Sequence, residues 1–208
     1  MNRETSSEQV RHAWNSGLMV GPKPPLKPKD IWAIRAQLRH QHRLCDLALF
    51  NLAIDSKLRG CDLVHLRVTD VVLAGSVRPR ASVVQSKTGR PVVFELTDAC
   101  RESVQGWMRV RPQRNGDCLF PSRSKSGQPL TTRQYTRLLD DWLDLAGLNH
   151  TLFGTHSLRR TKVALIYTRT GNLRACQLLL VHTKLETTVR YLGVELDDAL
   201  ELSEQVDL

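Results

Sequence analysis

Four side chains in the last third of the chain have the types and spacing that chemistry on a phosphodiester requires. His156 and Arg159 fall within Gly-Thr-His-Ser-Leu-Arg-Arg-Thr, residues 154–161, and His182 and Tyr191 stand nine residues apart between Leu178 and Leu192. A phenol can attack phosphorus, a guanidinium can hold the anionic oxygens through paired N–H donors, and imidazoles can donate or relay protons. Such a set works without a metal. The five cysteines are odd in number and scattered, with no Cys-x-x-Cys pair, and the seven histidines form no His-Glu-x-x-His. No structural metal and no cofactor are expected, and the thiols read as idle groups in a reducing compartment.

The charge balance agrees with a polyanionic partner. The net charge is +9 with a pI near 9.7. After Tyr191 the chain carries Glu195, Asp197, Asp198, Glu201, Glu204 and Asp207 and no Lys or Arg, so the rest of the chain stands at about +15. A body this basic favours DNA or RNA, while the acidic tail is unsuited to lying on a phosphate backbone. No apolar run is long enough to span a bilayer and the polar N-terminus carries no signal region, so a cytoplasmic protein is expected.

The elements that must position these residues follow from periodicity. Residues 1–29 read as a flexible, proline-rich lead-in, because Gly21 to Pro28 cannot form a helix. A helix is expected from about Asp30, with Ile31, Ile34 and Leu38 on one face, and a second over about Leu44–Lys57. The period then changes. Arg67–Leu73, Ala81–Gln85 and Pro91–Leu96 are short, β-branched and separated by turn signals at Gly75 and at Thr88-Gly89, which predicts a small three-stranded antiparallel sheet. Helices return over about Asp98–Val110, Thr132–Ala146, His156–Arg169, Leu173–Leu180 and Leu185–Tyr191. The fold class is therefore α+β, mainly helical.

With these elements in order, the sequence resembles the catalytic domain of tyrosine recombinases, the phage-integrase family, from roughly Lys27 to Val194. That family marks its site with an early arginine after a helix, a lysine in a β-hairpin, a His-x-x-Arg, a second histidine and a tyrosine nine residues later. Ser56-Lys57-Leu58-Arg59-Gly60-Cys61-Asp62-Leu63 matches the first motif and Ser86-Lys87-Thr88-Gly89 the second. The resemblance thus implies Arg59, Lys87, His156, Arg159, His182 and Tyr191 as catalytic residues. It implies site-specific recombination or integration through a 3′-phosphotyrosyl intermediate, with Lys87 protonating the departing 5′ oxygen. It also implies double-stranded DNA as substrate, self-association as dimer or tetramer on it, accessory DNA-bending proteins, and a nucleoid-associated bacterial, phage or plasmid product.

Singly, each residue has a plainer reading. Arg59 suits a helix end, Lys87 an exposed turn, His156 a helix start and His182 a packing role. Tyr135 and Tyr167 compete with Tyr191 as nucleophile, though both sit in helical patterns as packing residues with a polar handle. Three departures from the family pattern stand out. Val181 replaces the usual glycine before the second histidine. Asp62 replaces glutamate. Arg160 stands where histidine is common, where it would add a phosphate contact. The family's separate helical DNA-grasping domain has no counterpart in the lead-in, so residues 30–208 are expected to form one catalytic domain. In the tail, Leu192, Leu196, Ala199, Leu200 and Val206 form a stripe that suits either this chain's own core or a neighbouring protomer. Two other readings stay open: a catalytically weak DNA-binding regulator with this fold, and a type IB topoisomerase-like enzyme that relaxes DNA.

Overall fold

Helix α2, Leu44–Ser56, is the axis of the domain. Its sequence, Leu-Cys-Asp-Leu-Ala-Leu-Phe-Asn-Leu-Ala-Ile-Asp-Ser, is apolar on every side, and every residue from Asp46 to Ser56 is buried. A helix with no polar face must be surrounded, and α1 (Pro28–His40), α5 (Asp98–Val110) and α7 (Thr155–Thr170) all pack on it or beside it. The computed structural model describes residues 23–111, 116–123 and 127–192.

The order of the remaining elements is α3 (Gly60–Val64), α4 (Val68–Val71), β1 (Val72–Leu73), β2 (Ser76–Val77), β3 (Arg80–Val84), β4 (Pro91–Glu95), α6 (Thr132–Leu145), a 3-10 turn at His150–Leu152, α8 (Leu173–Leu180) and α9 (Leu185–Leu192). The class is mixed and mainly helical, as the sequence indicates. The sheet differs from the expected three strands. It is divided into two antiparallel hairpins, β1–β2 and β3–β4, the second in the register Arg80↔Glu95 through Val84↔Pro91. The stretch read as a first strand instead opens as a helical turn. The Asp70 carboxylate accepts the Arg67 N–H at 2.7 Å and starts α4 before the β-branched residues can extend.

Local chemistry sets most boundaries. Thr131 caps α6 with a reciprocal pair: the Gln134 N–H donates to the Thr131 hydroxyl at 3.1 Å, and the Thr131 N–H to the Gln134 side chain at 2.8 Å. Trp142 on α6 meets Phe50 of α2 edge to face at 5.8 Å and 86°. Gly171 ends α7 in the left-handed region with φ of 61°. Residues 23–27, the last of the lead-in, lie against α7. Leu26 is buried in the core and its N–H donates to Thr161 Oγ1 at 3.0 Å. The acidic-tail helix expected after Leu192, with its apolar stripe, lies outside the described residues.

Candidate active site

Helix α7 is the backbone of the site. Gly154 precedes it, and the Gly154 N–H donates to the Ser157 hydroxyl at 3.2 Å, so the helix starts with His156 in its first turn. Arg159, one turn on, points inward. It is buried, and its Nη2 donates to the Leu180 carbonyl at the end of α8 at 3.3 Å. That bond ties α7 to the segment carrying His182.

Two left-handed residues place the flanking groups. Lys57 ends α2 with φ of 56° and turns the chain so that Arg59 becomes the residue before α3. Val181 ends α8 with φ of 56° and ψ of 40°, and His182 follows directly. This explains the glycine usual before that histidine: the position demands a conformation that a β-branched residue adopts only with strain. The chain accepts the strain and keeps the histidine in place.

The β3–β4 turn is fastened to α3. Arg59 Nη1 donates to Gln85 Oε1, which also accepts the Thr88 hydroxyl at 3.0 Å. Asp62 Oδ1 accepts both the N–H and the hydroxyl of Ser86, at 2.9 and 2.8 Å. The two residues before Lys87 are thus held, while Lys87 itself is exposed and makes no hydrogen bond or ion pair among the described residues.

The three phenols stand in different surroundings. Tyr135 is packed against Trp142 in the core and burial drives its phenol far up. Tyr167 packs in a small cluster with Val163, Cys176 and Leu180. Tyr191 faces the cations. The guanidinium carbon of Arg160 lies 5.1 Å from its ring centroid and that of Arg159 lies 5.9 Å away. The His182 ring meets it edge on at 5.3 Å and 83°. Arg160 also donates to the Lys23 carbonyl at 2.8 Å. Its side chain thus spans the phenol face and the entering chain, with Nε left unpaired among the described residues.

The site is cationic and holds several buried polar atoms without a hydrogen-bond partner among the described residues: the donors Tyr191 Oη, Arg159 Nε and Arg160 Nε, and the acceptor Asp62 Oδ2. Burial pushes the Tyr191 phenol up and outweighs the opposing pull of Arg159, Arg160 and Arg59, so the resting phenol is protonated. Burial, then Arg159, Arg59 and Arg160, push His156 below its ordinary value, and burial with Arg159 and Arg59 brings His182 to about 4. Both imidazoles are neutral at pH 7. A cavity of about 510 Å³ opens here, bounded by Lys23, His156, Arg160 and Tyr191. Among the described residues no group of three His, Cys, Asp or Glu side chains could hold a metal ion, and no helix is long and apolar enough to cross a membrane.

Arg59, His156, Arg159, His182 and Tyr191 therefore converge, and Lys87 stands on a turn fastened to the same cluster. Sequence reasoning missed two groups. Lys57 is fully buried in an ion cluster with Glu95, Lys162 and Asp55 beneath the site. Thr188, three residues before the tyrosine, bonds to His182. A lysine beside the first arginine gives no hint of burial; the Thr187-Thr188 pair was visible but not its target.

A helical domain with small hairpins, presenting a tyrosine to arginines and histidines in this order, defines a class, and comparison with known proteins agrees. Residues 25–196 match the phage integrase family, and the chain belongs to it. It is 31% identical over 152 residues to the tyrosine recombinase XerD of Caulobacter vibrioides, covering 70% of this chain and 48% of that protein. It is 26% identical to XerC of Psychromonas ingrahamii, covering 77% and 52%. The probable integrase/recombinase YoeC of Bacillus subtilis is 27% identical, with 73% of this chain and 79% of that protein covered. The chain spans about half the length of the two Xer relatives. In fold it is similar to the crystal structure of XerA recombinase, with a TM-score of 0.71 at 19% identity over 90% of this chain and 64% of that one. It is also similar to XerH bound to its difH substrate, with a TM-score of 0.67 at 18% identity, covering 88% and 54%.

Proposed function

We propose that this chain is the strand-transferring domain of a site-specific DNA recombinase or integrase that cleaves and rejoins DNA through a 3′-phosphotyrosyl intermediate. The observation that carries the reading is Tyr191 held against Arg159 and Arg160 beside two neutral histidines, with buried donors left unpaired around it. A scissile phosphate docks against these donors. Arg59 and Arg159 bracket its non-bridging oxygens, where charge grows in the transition state and each well-placed donor is worth about 3–4 kcal/mol. The Tyr191 oxygen bonds to phosphorus as the P–O5′ bond breaks. His156, neutral and exposed to the cavity, takes or relays the phenolic proton. Lys87, on its fastened turn, delivers a proton to the departing 5′ oxygen. His182 holds a phosphate oxygen. No metal enters any of these steps.

Double-stranded DNA is the proposed substrate, on which copies of the chain associate as a dimer or tetramer. XerH in the comparison is bound to its own difH site, and the basic body described above fits the same partner. The division into a lead-in and one catalytic domain belongs to the same proposal, with the boundary before Leu26, which is buried in the core, and not at residue 29; so does a place in the bacterial cytoplasm on the nucleoid.

One observation favours the alternative of a weakly catalytic DNA-binding regulator: the phenol is buried, unpaired and held above its ordinary value. The deciding experiment incubates the protein with nicked duplexes carrying the repeats that flank its gene. A covalent protein–DNA adduct lost in Tyr191→Phe, with binding kept, supports strand transfer. Binding with no adduct on any substrate refutes it in favour of the regulator. Exchange between two duplexes, as opposed to relaxation alone, separates recombinase from topoisomerase.

A further inference from the structure

His182 has two ring nitrogens, and what it can do for a phosphate depends on which carries the proton. Its Nδ1 lies 3.1 Å from Thr188 Oγ1, across the bend between α8 and α9. Distance alone leaves the direction of that bond open: the hydroxyl can donate to Nδ1, or the Nδ1 proton can be given to the hydroxyl.

The surroundings of Thr188 settle it. Helical threonines ordinarily give their hydroxyl proton to the carbonyl four residues back. Thr136 does so to Thr132 at 3.1 Å, Thr161 to Ser157 at 2.7 Å and Thr170 to Ile166 at 2.8 Å. Thr188 makes no such bond, and its contact with His182 is the one hydrogen bond of its side chain among the described residues. The residue is completely buried, so no water takes its place. Were the hydroxyl the acceptor, its own proton would be stranded in the interior, an arrangement that folded proteins avoid. The hydroxyl therefore donates to Nδ1, and the imidazole proton sits on Nε2.

We propose that Thr188 is a positioning residue that fixes His182 in its Nε2–H tautomer, making the imidazole a neutral hydrogen-bond donor to a non-bridging phosphate oxygen. Nε2 has no protein partner among the described residues, as a donor kept for substrate requires. The ring is held by Thr188 at Nδ1 and met by the Tyr191 ring at 5.3 Å, and the backbone that carries it is tied down where the His182 carbonyl accepts the Gln177 amide at 3.1 Å. No proton is transferred at His182. It contributes a dipole where negative charge accumulates, while the phenolic proton leaves by another path. The assignment rests on the strand-transfer reading only for the identity of the acceptor.

The tautomer is read directly by long-range 1H–15N NMR of the uniformly labelled free protein near pH 7, with the His182 signals assigned by their loss in His182→Gln. The Nε2–H pattern is expected in the native protein and in Thr188→Ser, and a mixture of tautomers in Thr188→Val, which keeps the shape and loses the hydroxyl. Cleavage of the nicked duplex should slow roughly 2- to 10-fold in Thr188→Val, the range for losing one neutral hydrogen bond. Thr188→Ser should retain most of the rate. An Nδ1–H pattern in the native protein overturns the proposal whether or not the valine variant folds. So does a folded Thr188→Val with an unchanged tautomer. Because the spectrum is taken without DNA, absence of any adduct refutes strand transfer while the tautomer still decides this inference.

Discussion

The ion cluster beneath the site yields an asymmetric prediction. Lys57 Nζ bonds both oxygens of Glu95, at 3.1 and 3.3 Å, and its side chain has no exposure at all. Lys162 Nζ reaches Glu95 at 2.8 Å and Asp55 at 2.9 Å. Two ammonium groups thus share one carboxylate, and among the described residues it is the buried lysine that has no other partner. Glu95→Gln leaves Lys57 charged, dry and next to Lys162. Removing one member of a buried pair costs about 3–5 kcal/mol. Because 42% of the Glu95 side chain is exposed, water relieves part of this, and about 1.5–3 kcal/mol remains. Lys57→Met removes the buried charge with similar volume, and Glu95 keeps Lys162. The left-handed backbone strain is the same in both forms, so the cost should stay within about 1 kcal/mol.

Urea unfolding measures both, the midpoint shifting at constant slope. The double variant Lys57→Met/Glu95→Gln should recover much of the loss, since no unpaired lysine is then buried. A Lys57→Met loss above about 3 kcal/mol, or a neutral Glu95→Gln, would refute the claim that desolvation of Lys57 decides the energetics. The cluster matters for the site because its members are two residues from Arg59, three residues from Arg159 and at the base of the hairpin carrying Lys87.

Arg160→Ala should slow single-turnover cleavage about tenfold, since a desolvated cation–π contact is worth up to about 2 kcal/mol, and should move the alkaline rise of its pH–rate profile upward; an unchanged rate and profile would show that the contact with Tyr191 is incidental. At position 181, Val181→Gly should be more stable than Val181→Ala by about 1 kcal/mol in thermal unfolding, the reverse of the helix-interior ranking, because only glycine is unstrained at positive φ. Stability should fall as pH drops from about 6.5 toward 4. The unfolded chain takes up a proton at its ordinary histidine value while native His182 resists until about 4. After allowance for its partial exposure, the effect is on the order of 1–2 kcal/mol. Acid titration of unfolding on His182→Gln should give a shallower slope, and an equal slope would contradict the assignment.

How far the sequence carries depends on the kind of interaction. The bounds of α5 and α8 follow from apolar period, and the six marked residues from the family resemblance. Val68–Val71 misled because β-branched residues signal extension, while one aspartate cap was enough to start a turn. Leu73 and Ser76 are joined by too tight a turn to leave a long strand for a third partner. Arg160 over Tyr191 and Thr188 under His182 were not legible, since both contacts cross between elements whose relative placement no periodicity fixes.

That placement has a consequence for catalysis. Arg59 and the hairpin of Lys87 rest on the large core around α2, whereas Tyr191 belongs to a small separate cluster with Val163, Cys176 and Leu180. Helix α7 joins the two, with Leu158 in the large core and Val163 in the small one. The site is therefore a seam: the proposed phosphate clamp sits on the large core, and the proposed nucleophile on a thin layer of two short helices with few buried residues. Local stability tracks buried apolar contact, so α8 and α9 can shift relative to the clamp at little cost to the rest of the domain. Such freedom suits a phenol that must leave a dry, unpaired position to meet phosphorus. It also explains why so many orienting contacts (Arg159 to the Leu180 carbonyl, Thr188 to His182, Arg160 over the ring) lie on the layer's own side of the seam or span it. The two that cross it, from Arg159 and Arg160 of α7, limit how far the layer can move from the clamp, while the Thr188–His182 bond fixes geometry within the layer.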